Sequence, residues 1–119
     1  MLIVDGTRAV RAGMRAALAR VRALTVVGEA GDGLTALGLI DALQPDVVLV
    51  DAQIPQLDGI NVVRRVKGRW PAIRVVVLTL HPIDRAASLA AGADAFLLKG
   101  CSREDLIETL RGQSGEAPG

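Results

Sequence analysis

Four polar side chains that could carry out phosphoryl chemistry each follow a short apolar run in this sequence. They are Asp5, Asp51, Thr79 and Lys99. The clearest is Asp51, which ends the β-branched run 47–50 and opens a loop that contains proline and glycine. Such a run is typical of a buried strand, and open α/β sheets bind their ligands at the carboxyl ends of the strands. A carboxylate at that edge could be the nucleophile that accepts a phosphoryl group.

The other three side chains supply the groups that this chemistry needs. Carboxylate oxygens of Asp5 and Asp51, with loop carbonyl oxygens, could hold Mg²⁺, which usually keeps several waters and takes one or two protein carboxylates. The Thr79 hydroxyl and the Lys99 ammonium could bind the oxygens of the transferred phosphoryl group. The four residues would meet only if their strands lie parallel in one sheet.

Two hydrophobic periods alternate along the chain and predict five strands and five helices. The strands are expected at the apolar runs 2–4, 24–27, 47–50, 73–78 and 95–98. The helices are expected over the periodic segments 7–21, 36–43, 60–67, 84–91 and 102–110. This alternation predicts an α/β fold, a doubly wound five-stranded parallel sheet with right-handed crossovers.

Several segments between these elements are expected to have structural roles only. In the third helix, Arg64, Arg65 and Lys67 are expected to face solvent, opposite an apolar stripe. Residues 28–33 match neither a dinucleotide-binding glycine pattern nor a phosphate-binding loop, and are expected to form a turn before the second helix. His81 is expected to be a loop residue, because the sequence has no second histidine to share a metal.

Composition limits the other possibilities. The 119 residues suit one domain, with a net charge of +1 and a core of aliphatic residues, since the aromatics are only Trp70 and Phe96. The lone Cys101 excludes an internal disulfide and favours a cytoplasmic protein, as does the lack of a signal peptide. No apolar stretch approaches the ~20 residues of a membrane-spanning helix. Residues 112–119 lack periodicity and are expected to be a flexible linker or tail.

An ordered set of motifs makes residues 1–111 resemble a response-regulator receiver domain, most closely of the NarL/FixJ type. The motifs are Val4-Asp5, the segment 28–33, the block 45–59, Leu78-Thr79-Leu80-His81 and Ala95-Phe96-Leu97-Leu98-Lys99. The resemblance implies a flavodoxin-like sheet of strand order 2-1-3-4-5. It also implies a homodimer and a C-terminal LuxR-like helix-turn-helix domain, absent from these residues, that would bind DNA.

The same resemblance implies a role for each site residue. Asp51 would be the phospho-acceptor, and Gln53 would offer its backbone carbonyl to the metal. Thr79 would be the switch hydroxyl, Phe96 the aromatic that turns inward with it, and Lys99 the partner of the phosphate. Plainer roles remain open: Asp51 as a turn carboxylate, Thr79 as the end of a strand and Phe96 as ordinary packing.

One departure from the family pattern changes the expected metal site. The family has two adjacent acids after the first strand, whereas this chain has Asp5-Gly6. The resemblance implies that the missing acid is the one that contacts Mg²⁺ directly, which leaves Asp5 to act through a metal-bound water. With Asp5, Asp51 and the Gln53 carbonyl as the remaining ligands, Mg²⁺ is expected to be weakly bound or absent.

Three functions are compatible with these patterns. The first is a receiver that takes a phosphoryl group from a histidine kinase, and the second is a receiver fold independent of Mg²⁺ and phosphate that senses a small-molecule ligand or dimerises. The third, a flavodoxin-like cofactor binder or small enzyme, is disfavoured because stacking aromatics and a phosphate-binding loop are absent. We expect a receiver under atypical control, with no enzymatic activity beyond self-phosphorylation.

Overall fold

The computed structural model describes residues 1–112, which form one parallel sheet flanked by helices on both faces. The strands are β1 Leu2–Val4, β2 Gly28–Ala30, β3 Val47–Val50, β4 Arg74–Thr79 and β5 Ala95–Leu98. The helices are α1 Arg8–Leu18, α2 Gly33–Leu43, α3 Gly59–Arg69, α4 Arg85–Ala90 and α5 Arg103–Leu110. The strand order is β2-β1-β3-β4-β5, which confirms the predicted doubly wound fold. The predicted tail lies outside the described residues except for Gly112.

The core occupies both faces of the sheet, because successive side chains of a strand point to opposite faces. One cluster packs the strands against α2 and α3 and includes Val48, Val50 and Ile40. The other packs them against α1 and α5 and includes Leu49 and Leu110. Burial on both faces explains why the central strands are continuous apolar runs rather than alternating ones.

The second strand differs from the prediction. It is Gly28–Ala30, whereas the predicted segment 24–27 leads into it, with the Val27 N–H bonded to the Met1 carbonyl at 2.8 Å. The turn predicted at 28–33 is therefore wrong for its first three residues. The run 24–27 holds the β-branched residues, but Gly28 pairs with Leu2, where a Cβ would lie 3.1 Å from the Leu2 side chain. Close packing, rather than strand propensity, therefore determines which residues form this edge strand.

Two details of the third and fourth helices also differ from the prediction. Lys67 does not face solvent: its ammonium donates to the carbonyls of Pro71 and Ile73 at 2.9 and 2.8 Å and pairs with Asp94 at 2.9 Å. The long aliphatic stem of a lysine allows this, since the head can turn back to polar groups. The predicted helix 84–91 is α4 preceded by a 3-10 turn at Pro82–Asp84.

None of the helices within residues 1–112 is long and apolar enough to cross a membrane.

Candidate functional site

A lysine bridges two carboxylates at the carboxyl edge of the sheet. The Lys99 ammonium donates to Oδ2 of Asp5 and to Oδ2 of Asp51, each at 2.7 Å. The three residues follow β1, β3 and β5, and the parallel strand order brings together positions up to 94 residues apart in the chain. The sequence prediction that these side chains meet at one edge is therefore confirmed.

The three charges are largely withdrawn from water. The exposed fraction of the side chain is 2% for Asp5, 11% for Asp51 and 17% for Lys99. Desolvation by itself lowers the pKa of Lys99, but hydrogen bonds and charge attraction from Asp5 and Asp51 outweigh it and raise the pKa above the ordinary value. Lys99 is therefore held as a cation between two acids, with one negative charge in excess when both acids are ionised.

Each carboxylate is oriented by its own loop in the same way. The second oxygen of Asp5 accepts the Thr7 N–H at 2.9 Å, and that of Asp51 accepts the Gln53 N–H at 3.0 Å. Both are bonds to the amide two residues further along, the pattern by which aspartate stabilises a turn. Lys99 and the loop amides thus engage both oxygens of each acid.

The loop after β3 is fixed by close contact with the start of α3. The Gly59 N–H donates to the Ala52 carbonyl at 2.9 Å, and a Cβ on Gly59 would overlap the carbonyl oxygen of Asp51. Asp58 caps the helix by accepting the Asn61 N–H at 2.9 Å. The glycine that follows the capping acid therefore lets the helix begin directly against the backbone of Asp51.

Thr79 lies fully buried at the same edge of the sheet, but its hydroxyl bonds to residues outside the Lys99 bridge. Its backbone carbonyl accepts the Lys99 N–H at 2.8 Å, which places the lysine. The Thr79 hydroxyl donates to Oδ2 of Asp84 at 3.4 Å and accepts the His81 N–H at 3.3 Å. Asp84 Oδ2 also accepts from the Gln53 side-chain amide at 3.3 Å. Sequence reasoning missed Asp84, since a lone acid at the start of a short helix carries no pattern of its own.

Phe96 is half-buried in β5 and packs against the α2–α3 side of the core. The guanidinium of Arg85 lies over its ring, 5.9 Å from the centroid. That separation is at the outer limit of a cation–π contact. The aromatic ring is thus placed for packing, and a switching role for it remains a prediction.

The residue after Asp5 determines how many acids the site contains. Gly6 is exposed and has no positive φ angle, so its backbone does not require glycine. A Cβ there would lie 3.4 Å from Cδ of Pro55, which is ordinary contact. Within residues 1–112, no group of three or more acidic, histidine or cysteine side chains is arranged to hold a metal. The two acids that the site contains are both bonded to Lys99, and Gly6 adds no third carboxylate.

Comparison with known proteins shows which family the chain belongs to. The family model for the response regulator receiver domain matches residues 1–111. A transcriptional regulatory protein of Bacillus subtilis, YhcZ, is 36% identical over 98% of this chain and 55% of its own length. The receiver domain of the response regulator NarL from Mycobacterium tuberculosis has a TM-score of 0.85 at 34% identity, over 93% of this chain and 91% of that one.

A further solved structure is that of RcsB from Salmonella enterica serovar Typhimurium, bound to promoter rprA in the presence of the phosphomimetic BeF₃⁻. It has a TM-score of 0.82 at 27% identity, over 93% of this chain and 65% of that one. The chain spans about half the length of the curated relatives it matches.

Proposed function

Since this chain belongs to the response regulator receiver domain family, as a domain of the NarL/LuxR type, we propose that Asp51 is its phospho-acceptor and that its control is atypical. Receiver domains of this family are generally signalling modules rather than enzymes. The contact of Lys99 with Asp51 supports the acceptor role, and Gly6, which provides no third acid beside Asp5 and Asp51, is the observation that carries the proposal of atypical control. A cofactor-binding enzyme, the third function considered, has no support from these relatives.

The site residues would act in one displacement step. A carboxylate oxygen of Asp51 attacks the phosphorus of a phosphohistidine or a small acyl phosphate. The bond from phosphorus to the imidazole nitrogen or acyl oxygen breaks, and the leaving group departs with its electron pair. Lys99 already donates to Asp51 and would donate to the new phosphoryl oxygens, which have the charge and geometry that favour strong hydrogen bonds.

The incomplete metal site is the reason to propose atypical control. With Gly6 after Asp5, the protein ligands left for Mg²⁺ are Asp5, Asp51 and the Gln53 carbonyl, so more of the ion's coordination would be by water. Lys99 would neutralise part of the charge that develops on a transferring phosphoryl group, but one cation faces two acids. Phosphorylation should therefore be slow, and the unphosphorylated domain should carry most of the signal.

The alternative is an ordinary, Mg²⁺-dependent receiver driven by a histidine kinase. The observation that favours it is that the acceptor acid and its lysine are both present and in contact. Incubation with acetyl phosphate and Mg²⁺, followed by intact mass, distinguishes the two. Little or no mass increase of one phosphoryl group is expected for the natural sequence, with Asp51→Asn as the blank. Rapid stoichiometric phosphorylation of Asp51 would contradict atypical control.

We also propose the partners that such a domain would have. A histidine kinase or a small-molecule ligand would provide the input, and a DNA-binding domain beyond these residues would provide the output. The relative RcsB, which was solved on a promoter, supports the second part. A homodimer is proposed because exposed apolar side chains collect before and along α4, namely Leu80, Ile83 and Leu89.

A further inference from the structure

Asp84 contacts two residues that frame the phospho-acceptor. Its Oδ2 accepts the Thr79 hydroxyl at 3.4 Å and the Gln53 side-chain amide at 3.3 Å. Gln53 in turn donates its backbone N–H to Asp51 at 3.0 Å. Asp84 lies at the amino end of α4, yet its carboxylate makes no capping hydrogen bond to that helix. Its contacts are therefore directed to the site and not to its own helix.

The residue after Asp84 contacts the second predicted switch residue. Arg85 lies over the ring of Phe96 at 5.9 Å. Two consecutive residues at the start of α4 thus hold the Thr79 hydroxyl and the Phe96 ring. Both hydrogen bonds to Asp84 are longer than the usual 2.5–3.2 Å range, so each is weak and easily exchanged.

A hydroxyl group has one hydrogen to donate. The Thr79 hydrogen can be given to Asp84 or to an oxygen of a phosphoryl group on Asp51, but not to both. A phosphoryl group would also place about two negative charges near the Asp84 carboxylate. Occupation of Asp51 therefore opposes the Asp84 contact through competition for one donor and through charge repulsion.

We propose that Asp84 is a positioning residue, which holds the Thr79 hydroxyl in the unphosphorylated state and is displaced when Asp51 carries a phosphoryl group. The inference rests on the proposed function, because it requires Asp51 to be the acceptor. Displacement of Asp84 moves the start of α4, and Arg85 leaves the Phe96 ring with it. Because the hydrogen bonds to Asp84 are long, breaking them adds only a small barrier. The contact therefore delays phosphorylation rather than preventing it.

The contact itself is tested without any phosphodonor. Asp84→Ala should shift the NMR signals of the Thr79 methyl group and the Gln53 side-chain amide, and Asp84→Asn should shift them less because it keeps an acceptor oxygen. The chain has one phenylalanine, so a single ring label reports Phe96 without ambiguity, and its signal should move as well. Asp41→Asn, which removes the same charge from an exposed acid on α2, should leave all three unchanged. Unmoved Thr79 and Gln53 signals in Asp84→Ala would overturn the proposal.

The displacement is tested by phosphorylation in a Gly6→Asp background, which adds the acid that the natural sequence lacks. Asp84→Ala should be phosphorylated by acetyl phosphate and Mg²⁺ about two- to five-fold faster than its parent, the range that one weak hydrogen bond controls, and Asp84→Asn less so. If Asp84→Ala and Asp84→Asn increase the phosphorylation rate equally, and the increase vanishes in high salt, the effect is one of charge alone and the positioning role is overturned.

A failure of the proposed function would be recognised separately. Absence of phosphorylation in every variant, including the Gly6→Asp parent, would overturn the acceptor role of Asp51 and the displacement step with it. The spectra recorded without phosphodonor would still decide whether Asp84 holds Thr79.

Discussion

Replacing Lys99 with methionine should destabilise the domain strongly, because it removes the cation that bridges the carboxylates of Asp5 and Asp51. Methionine keeps the approximate length of the side chain and removes its charge. Two carboxylates that are 2% and 11% exposed would then face each other without the cation between them. One of them would have to take up a proton or move into solvent.

The structure gives the expected size of the effect. Removal of one partner from a buried ion pair typically costs about 3–5 kcal/mol. Lys99 makes two such contacts at 2.7 Å, but it retains 17% exposure at the edge of the sheet. A decrease of about 2–4 kcal/mol in the free energy of unfolding is therefore expected, a large share of the 5–15 kcal/mol that is usual for a domain.

Urea unfolding at neutral pH measures this decrease. Arg69→Met is the matched control, since Arg69 pairs with Asp41 at 3.6 Å and both side chains are more than half exposed. Such a surface pair is worth about 1 kcal/mol or less. Adding Asp5→Asn to Lys99→Met should restore part of the lost stability by removing one of the two unpaired charges. A loss for Lys99→Met no larger than for Arg69→Met would refute the reasoning.

Two further predictions concern pH and assembly. Because the folded state raises the pKa of Lys99, its contribution is fully present below the unfolded lysine pKa of about 10.4 and is lost as pH rises through the higher folded pKa. Unfolding free energy should therefore fall more steeply above about pH 10 in the natural sequence than in Lys99→Met. The sequence has no tyrosine, and the Cys101 thiol, whose pKa burial raises, is common to both proteins. Equal slopes would contradict this prediction. The isolated domain should self-associate in sedimentation over a wide concentration range, and Ile83→Lys, at a side chain that is 87% exposed, should weaken this; a strict monomer at high concentration would count against it.

The fold could be predicted from the sequence because its most apolar runs form the strands that are most deeply buried. The apolar runs that became β3 and β4 are buried on both faces, so hydrophobicity alone locates them. The sequence predicts the second strand at 24–27 rather than at β2, because Gly28 and Glu29 have little strand propensity. Their fit beside β1 is what places them in the sheet. Propensity is least informative where the packing of one neighbour decides the structure.

The site could be predicted only in part, for a similar reason. Asp5, Asp51 and Lys99 each end an apolar run, so the parallel sheet brings them together. Asp84 belongs to a segment whose position depends on tertiary contacts, and its two long hydrogen bonds correspond to no pattern in the sequence around it. Lys67 was assigned to solvent by its place in a charged stripe, although carbonyl groups within reach of its flexible stem bind it.

The proposal that the metal site is incomplete is tested most directly by titrating Mg²⁺ into the natural protein and into Gly6→Asp by calorimetry. A Cβ at position 6 would make ordinary contact with Pro55, and one more carboxylate in contact with the ion should tighten binding about 10- to 100-fold. Gly13→Asp is the matched control: it adds the same charge on α1, where a Cβ meets nothing within 4 Å, and should change binding little. We predict weak binding by the natural sequence and by Gly13→Asp, and clear binding by Gly6→Asp. Equally tight binding by the natural sequence and Gly6→Asp would contradict the account.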